Sequence, residues 1–265
     1  MLLALQCSMR AAPLTLVPGE SPQLVFADEA QAIGVWFRNS TATNAEVALH
    51  FRVFQASSAT VLPIGDLHSW KTLPVLAGQT VVESWAVKLP AVRVDTRFFV
   101  RWLDERGNAL GATEVIAVPR DLLRELKSLA GDRPLGVFDP QDYLRPLLRR
   151  LGVGFEDLDP DGIERFRGRL AVVCATDAKE EEPAALSRKL KKCRETGVNV
   201  LWFRNVVPAP AEPVPVCLLR QGAGTLVVAD ARGLTDLTVS PARQRVLISL
   251  ARLAVNAEQF ELIQP

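Results

Sequence analysis

The side chains of this chain best suited to chemistry are carboxylates. Asp139, Asp142, Asp159, Asp161, Asp177 and Asp230, together with Arg204, stand where the apolar runs of the C-terminal half end. In doubly wound α/β sheets ligands sit beyond the carboxyl ends of the strands, so a pocket is expected there. Two carboxylates facing each other across it can act as acid and base in glycoside cleavage, with Asp139 and Asp177 as the candidate pair. The competing use is structural, because Asp caps helices and forms turns, and Asp139-Pro140 and Asp159-Pro160 read as helix and turn initiators. A Ser or Cys nucleophile of the triad type needs an imidazole to take its proton. The two histidines, His50 and His68, both lie far upstream in a stretch that reads as all-β. Triad chemistry is therefore not expected, and no catalytic residue is assigned.

The four cysteines, Cys7, Cys174, Cys193 and Cys217, are widely spaced, with no CxxC pair and no neighbouring histidine to complete a metal site. No metal and no cofactor is expected. Cys174 ends an apolar run, Cys217 sits inside another and Cys193 continues an apolar helix face, which reads as small buried hydrophobes. Four of the five tryptophans, Trp36, Trp70, Trp85 and Trp102, fall in the N-terminal half. Trp36 or Trp85, if exposed, can stack on a sugar ring; the alternative is that these indoles are core. Gly222-Ala223-Gly224 suggests a phosphate loop, but the residues after it read as a strand, so a hairpin turn is the better reading.

The totals narrow the classes further. The chain has 265 residues, 48% hydrophobic and 23% charged, enough to bury one or two proper cores. Its 31 Lys and Arg balance 30 Asp and Glu, leaving a net charge of +1 and no basic field for nucleic acid. No run approaches the roughly 18 apolar residues that cross a bilayer. Residues 1–13 resemble the tail of a secretory signal, which points to a secreted or periplasmic protein; a short first strand in a cytoplasmic protein is the alternative.

Two hydrophobic periods divide the rest. From 14 to 118 the period is two, as in Val47, Leu49, Phe51 and Val53, with turn signals that mark about seven strands of an antiparallel sandwich. Residues 119–133 read as a linker with a short helix. From 134 to 265 strands alternate with helices: 135–138, 155–158, 170–174, 198–203, then a pair at 214–219 and 225–229. The helix opened by Pro183 is expected to put Leu186, Leu190 and Cys193 inside, and Arg188, Lys189, Lys191, Lys192 and Arg194 in water. Ser240-Pro241 starts a last helix, with Val246, Leu247, Leu250 and Leu253 expected to face inward.

Two stretches carry a resemblance. Arg220-Gln221-Gly222-Ala223-Gly224-Thr225-Leu226-Val227-Val228, with Leu234 and Ser240-Pro241-Ala242-Arg243-Gln244, resembles the class I glutamine amidotransferase-like fold, in the reduced form found beside bacterial glycoside hydrolases and in beta-galactosidase trimerisation domains. Phe98-Phe99-Val100-Arg101-Trp102-Leu103-Asp104 resembles the immunoglobulin-like modules that accompany those domains. The resemblance implies an immunoglobulin-like sandwich followed by a flavodoxin-like or amidotransferase-like, mostly parallel sheet with helices on both faces. It also implies a nucleophilic Cys directly after the strand that follows the Lys191-Lys192 helix. Here that strand runs on to Arg204-Asn205, and the partner His-x-Glu is missing. The expectation is a degenerate, non-catalytic accessory or assembly protein with a protein partner or its own copies, associated with carbohydrate-active enzymes. The alternatives are a glycosidase-like hydrolase working through strand-end carboxylates and a carbohydrate-binding module. The ligand candidates are Asp139, Asp177, Arg204, Trp36 and Trp85.

Overall fold

The computed structural model describes residues 13–19, 21–175, 182–205, 217–220 and 223–256, with only the backbone at 182–183 and 217–220. The signal expectation falls on residues 1–13, nearly all of them outside the described residues. The chain forms two compact units, residues 1–120 and 121–265.

In the first unit the period-two segments become β1 (Leu14–Val17), β2 (Gln23–Phe26), β3 (Ala30–Asn39), β4 (Ala45–Ala56), β5 (Val61–Val75), β6 (Thr80–Lys88), β7 (Thr96–Leu103) and β8 (Ala109–Val118). They form a three-stranded sheet, β1-β3-β6, and a five-stranded sheet, β2-β8-β7-β4-β5. Alternation decides the faces. In β3, Ile33, Val35 and Phe37 are buried, while Gly34 and Trp36 point to the other side. Phe37, Leu49, Phe98, Val100, Trp102 and Val115, drawn from both sheets, share one core. Trp102 stands at its centre, with the rings of Phe37, Phe51, Trp70 and Trp85 at 5.0–5.7 Å and its Nε1 donating to Thr113 Oγ1 at 2.9 Å. The first segment is split: β1 pairs antiparallel with β3, and β2 pairs parallel with β8. Pro18 and Pro22 bracket the crossing, and without N–H groups they interrupt the ladder there. This division accounts for eight strands where about seven are expected.

The second unit starts earlier than the periodicity suggests. The stretch 119–133, read as a linker with a short helix, contains α1 (Glu125–Ala130), and Leu123, Leu126 and Ala130 are buried in the core of the second unit. Then come β9 (Leu135–Phe138), α2 (Arg145–Arg150), β10 (Glu156–Asp157), α3 (Gly162–Arg165), β11 (Leu170–Cys174), α4 (Glu182–Glu195), β12 (Asn199–Arg204), β13 (Cys217–Arg220), β14 (Thr225–Asp230) and α5 (Pro241–Val255). The sheet order is β10-β9-β11-β12-β14-β13, parallel except for the β13–β14 pair. Continuous apolar strands are buried on both faces. Val172, Cys174, Leu201 and Val227 face α1, α2 and α5, whereas Val173, Val200, Trp202 and Leu226 face α3 and α4.

Two helix faces differ from expectation. Val246 is 52% exposed, and α5 instead buries Gln244, Leu247, Ile248, Ala251 and Ala254. The buried Gln244 carboxamide donates from Nε2 to the Leu237 carbonyl at 2.7 Å. Arg194 is buried rather than in water, with its guanidinium toward the Gly224 carbonyl. Lys189 is only a quarter exposed and pairs with Asp161 at 2.8 Å.

Candidate functional site

The carboxyl edge of the parallel sheet is the first place where the candidate residues can meet. The strand order reverses between β9 and β11, the position at which doubly wound sheets open a crevice. Asp139 lies there, directly after β9, and is buried. Its carboxylate accepts from the amides of Tyr143 at 3.1 Å, Leu144 at 2.6 Å and Arg145 at 2.9 Å. Those three bonds tie the turn that leads into α2, whose first amides otherwise lack partners. Around it, Arg145 donates to Asp142 at 2.9 Å and to Asp157 at 3.0 Å, and Arg149 reaches Asp157 at 3.3 Å. Asp159 accepts from the Gly162 amide at the start of α3. The Asp161 carboxyl is held below its ordinary value by the bond from Lys189.

At the other end of the edge, Asp230 is buried and accepts from Arg232 three times: from its amide at 2.8 Å and from its guanidinium at 3.0 and 2.8 Å. The guanidinium bond holds the Asp230 carboxyl below its usual range. Arg204 closes β12 with its Cα in register with Asp230, but that carboxylate is already taken. The Arg204 guanidinium instead lies over the Trp202 ring, 5.1 Å from its centroid. Trp202, which the sequence reading did not single out, is buried, and its Nε1–H has no acceptor among the described residues. Asp139 and Arg204 do not share a face: Cys174, which feels the Asp139 charge, belongs to the α1–α2–α5 side, and Trp202 to the α3–α4 side. Asp177 lies outside the described residues, as does Gly222.

The thiols of Cys174 and Cys193 are both buried. Burial pushes the Cys174 thiol well up, with Asp139 adding to the effect, and burial lifts Cys193 to about 11. A protonated buried thiol is inert. His50 and His68 sit on β4 and β5 of the first unit, where the His68 ring stacks on Phe51 at 5.3 Å.

The first unit offers the other candidate. Trp85 is 4% exposed, edge-on to Phe51 at 4.8 Å and Trp102 at 5.3 Å, so it presents no face to a ligand. Trp36 is half-buried and lines a cleft of about 240 Å³ at the crossing between β1 and β2, with Gln23, Phe99, Thr113 and Glu114 among the walls. Its six-membered ring lies over Gly34: a Cβ there would stand 2.8 Å from Cη2 and 3.3 Å from Cζ2 and Cζ3. Where β1 ends, the open edge of β3 is closed by one side chain. Gln23 Nε2 donates to the Gly34 carbonyl at 2.7 Å, and Gln23 Oε1 accepts from the Gly34 amide at 3.0 Å.

The chain matches no family model and no curated protein. Among solved structures it is similar to the alkylpurine DNA glycosylase AlkC of Pseudomonas fluorescens bound to DNA containing an abasic site analog, at 12% identity over 41% of this chain and 31% of that one, TM-score 0.32. It is also similar to the beta-glucosidase of Listeria innocua in complex with gluconolactone, at 12% identity over 40% and 16% of the two chains, TM-score 0.30. The GH3 beta-glucosidase of Bifidobacterium adolescentis follows at 9% identity over 39% and 17%, TM-score 0.29. The chain thus spans under a third of the length of each, and at such scores the geometry alone carries the functional argument. No helix among the described residues is long and apolar enough to cross a membrane.

Proposed function

We propose that this chain is a non-catalytic accessory or assembly protein that presents surfaces to its own copies or to a carbohydrate-active enzyme. One observation carries the reading. Every carboxylate described above at the carboxyl edge of the parallel sheet is engaged in a local bond to a backbone amide, an arginine or a lysine. A general acid or base must turn its proton or lone pair toward substrate, whereas the buried Asp139 spends three of its roughly four acceptor sites on the amides that start α2. In the same reading the first unit is an immunoglobulin-like module, and the second a degenerate amidotransferase-like domain in which Asn205 follows β12 where active relatives carry cysteine.

The test joins two measurements on the full chain. Incubation with aryl glycosides and with glutamine is expected to release no product above the uncatalysed rate. Size-exclusion chromatography with light scattering is expected to show a mass above 29.0 kDa that grows with concentration. Turnover abolished by Asp139→Asn would replace this proposal with the hydrolase, and a strict monomer would remove self-assembly from it.

A further inference from the structure

We propose that the cleft beside Trp36 binds a single ring of a neutral carbohydrate. The inference rests on the non-catalytic reading in one respect, that the bound sugar is held and not cleaved.

The lining selects the ligand. Among its described residues Glu114 is the one charged group, and it forms an ion pair with Arg97 at 2.8 Å. One wall is an aromatic plane: Trp36 is laid flat by the absence of a side chain at Gly34, with Phe99 nearby on the neighbouring sheet. The polar groups have capacity left. Thr113 Oγ1 already accepts from Trp102 Nε1, which leaves its own proton to donate. Gln23 uses one N–H and its oxygen on Gly34 and keeps a second N–H. The Ser21 hydroxyl is exposed at the rim.

A partner for such a surface must be flat and apolar on one face, rich in neutral hydroxyls at its edge, and small. About 240 Å³ equals roughly eight liquid-water volumes, and it falls below the roughly 300–1,000 Å³ of pockets for drug-sized ligands. A pyranose meets all three conditions, its axial C–H groups packing on the indole while its hydroxyls reach Thr113, Gln23 and Ser21.

The experiment titrates the full chain with glucose, galactose, mannose and xylose, and separately with cellotetraose and xylotetraose, following binding by calorimetry and tryptophan fluorescence. At least one sugar is expected to saturate with Kd in about the millimolar range. Trp36→Ala should weaken it about tenfold and Trp36→Phe less, with both variants keeping the parental unfolding curve to show that the fold is intact. Equal affinity for a monosaccharide and its tetrasaccharide identifies a free sugar as the ligand, and preference for the tetrasaccharide identifies a polymer. No saturable signal from any of the six up to about 50 mM overturns the inference, as does binding that Trp36→Ala leaves unchanged. Mass spectrometry of the same mixtures separates the two claims: a shortened tetrasaccharide would refute the non-catalytic reading while leaving the site in place.

Discussion

The two units place polar groups in opposite ways. Along the carboxyl edge of the second unit, Asp139, Asp157, Asp161 and Asp230 stand where ligands gather in sheets of this topology, yet amides, arginines and a lysine occupy them. Around the cleft of the first unit, besides the Glu114–Arg97 pair, the groups are a hydroxyl, a carboxamide and an indole, and some of their bonding capacity is left over. On the proposed reading, position in a fold does not by itself make a side chain a reagent. What matters is whether its lone pairs and protons are already engaged by the chain itself.

The largest expected effects separate the two units by what holds each together. Trp102→Ala removes the ring on which Phe37, Phe51, Trp70 and Trp85 converge and should destabilise the first unit by about 3–5 kcal/mol. Urea unfolding followed by tryptophan fluorescence reads this, since four of the five indoles belong to that unit. Asp139→Ala orphans the amides of Tyr143, Leu144 and Arg145 and should cost the second unit about 2–4 kcal/mol. Circular dichroism at the helix band reads that loss, because the α-helices described all belong to the second unit. If Asp139→Ala were neutral in stability yet changed binding of some small molecule, the carboxylate would be a reagent after all and the contrast would fail.

Much of the frame was legible because strong periodicity admits one solution. Leu170-Ala171-Val172-Val173-Cys174 is apolar throughout, and β11 is accordingly buried on both faces. Ser240-Pro241 starts α5 as expected, the Ser240 hydroxyl accepting from the Arg243 amide at 3.3 Å. The misreadings share a cause, which is a bond to a distant residue. Arg194 follows a basic run, yet it is buried with its guanidinium toward the Gly224 carbonyl thirty positions on. The α5 face that exposes Val246 buries Gln244, which bonds to the Leu237 carbonyl. The candidate sites were half legible for the same reason. Alternation along β3 puts Gly34 and Trp36 on one face, but the cleft arises from the split of β1 from β2 and from the Gln23 clamp, which no local pattern announces.

A smaller effect tests the engaged carboxylates through pH. Arg232 holds the Asp230 carboxyl below the ordinary 3.8 in the folded protein. A depressed folded value means that the stabilisation is fully present above the unfolded value and is lost as pH falls through the folded one. Asp230→Asn should therefore lower stability at neutral pH and flatten its decline below about pH 4. Denaturant midpoints between pH 2 and pH 6, at about half-unit intervals, give the slope. A slope identical to the parent's would mean that Arg232 is not held by this carboxylate in solution.

The smallest expected effect is the one most specific to the cleft. A methyl group at Gly34 would meet the tip of the Trp36 indole at 2.8 Å, and the obstacle is the far end of a side chain rather than backbone. Gly34 shows no left-handed backbone that would penalise alanine, and the strand entropy gained offsets part of the contact, so Gly34→Ala should change stability by less than about 1 kcal/mol. The indole, however, must lift from the sheet, and its emission should shift to the red as its covered face meets water. Sugar affinity should fall with it although no polar contact has been touched, because stacking depends on the plane of the ring. Retained affinity with a shifted spectrum would show that the hydroxyls hold the ligand and that Trp36 merely covers a glycine.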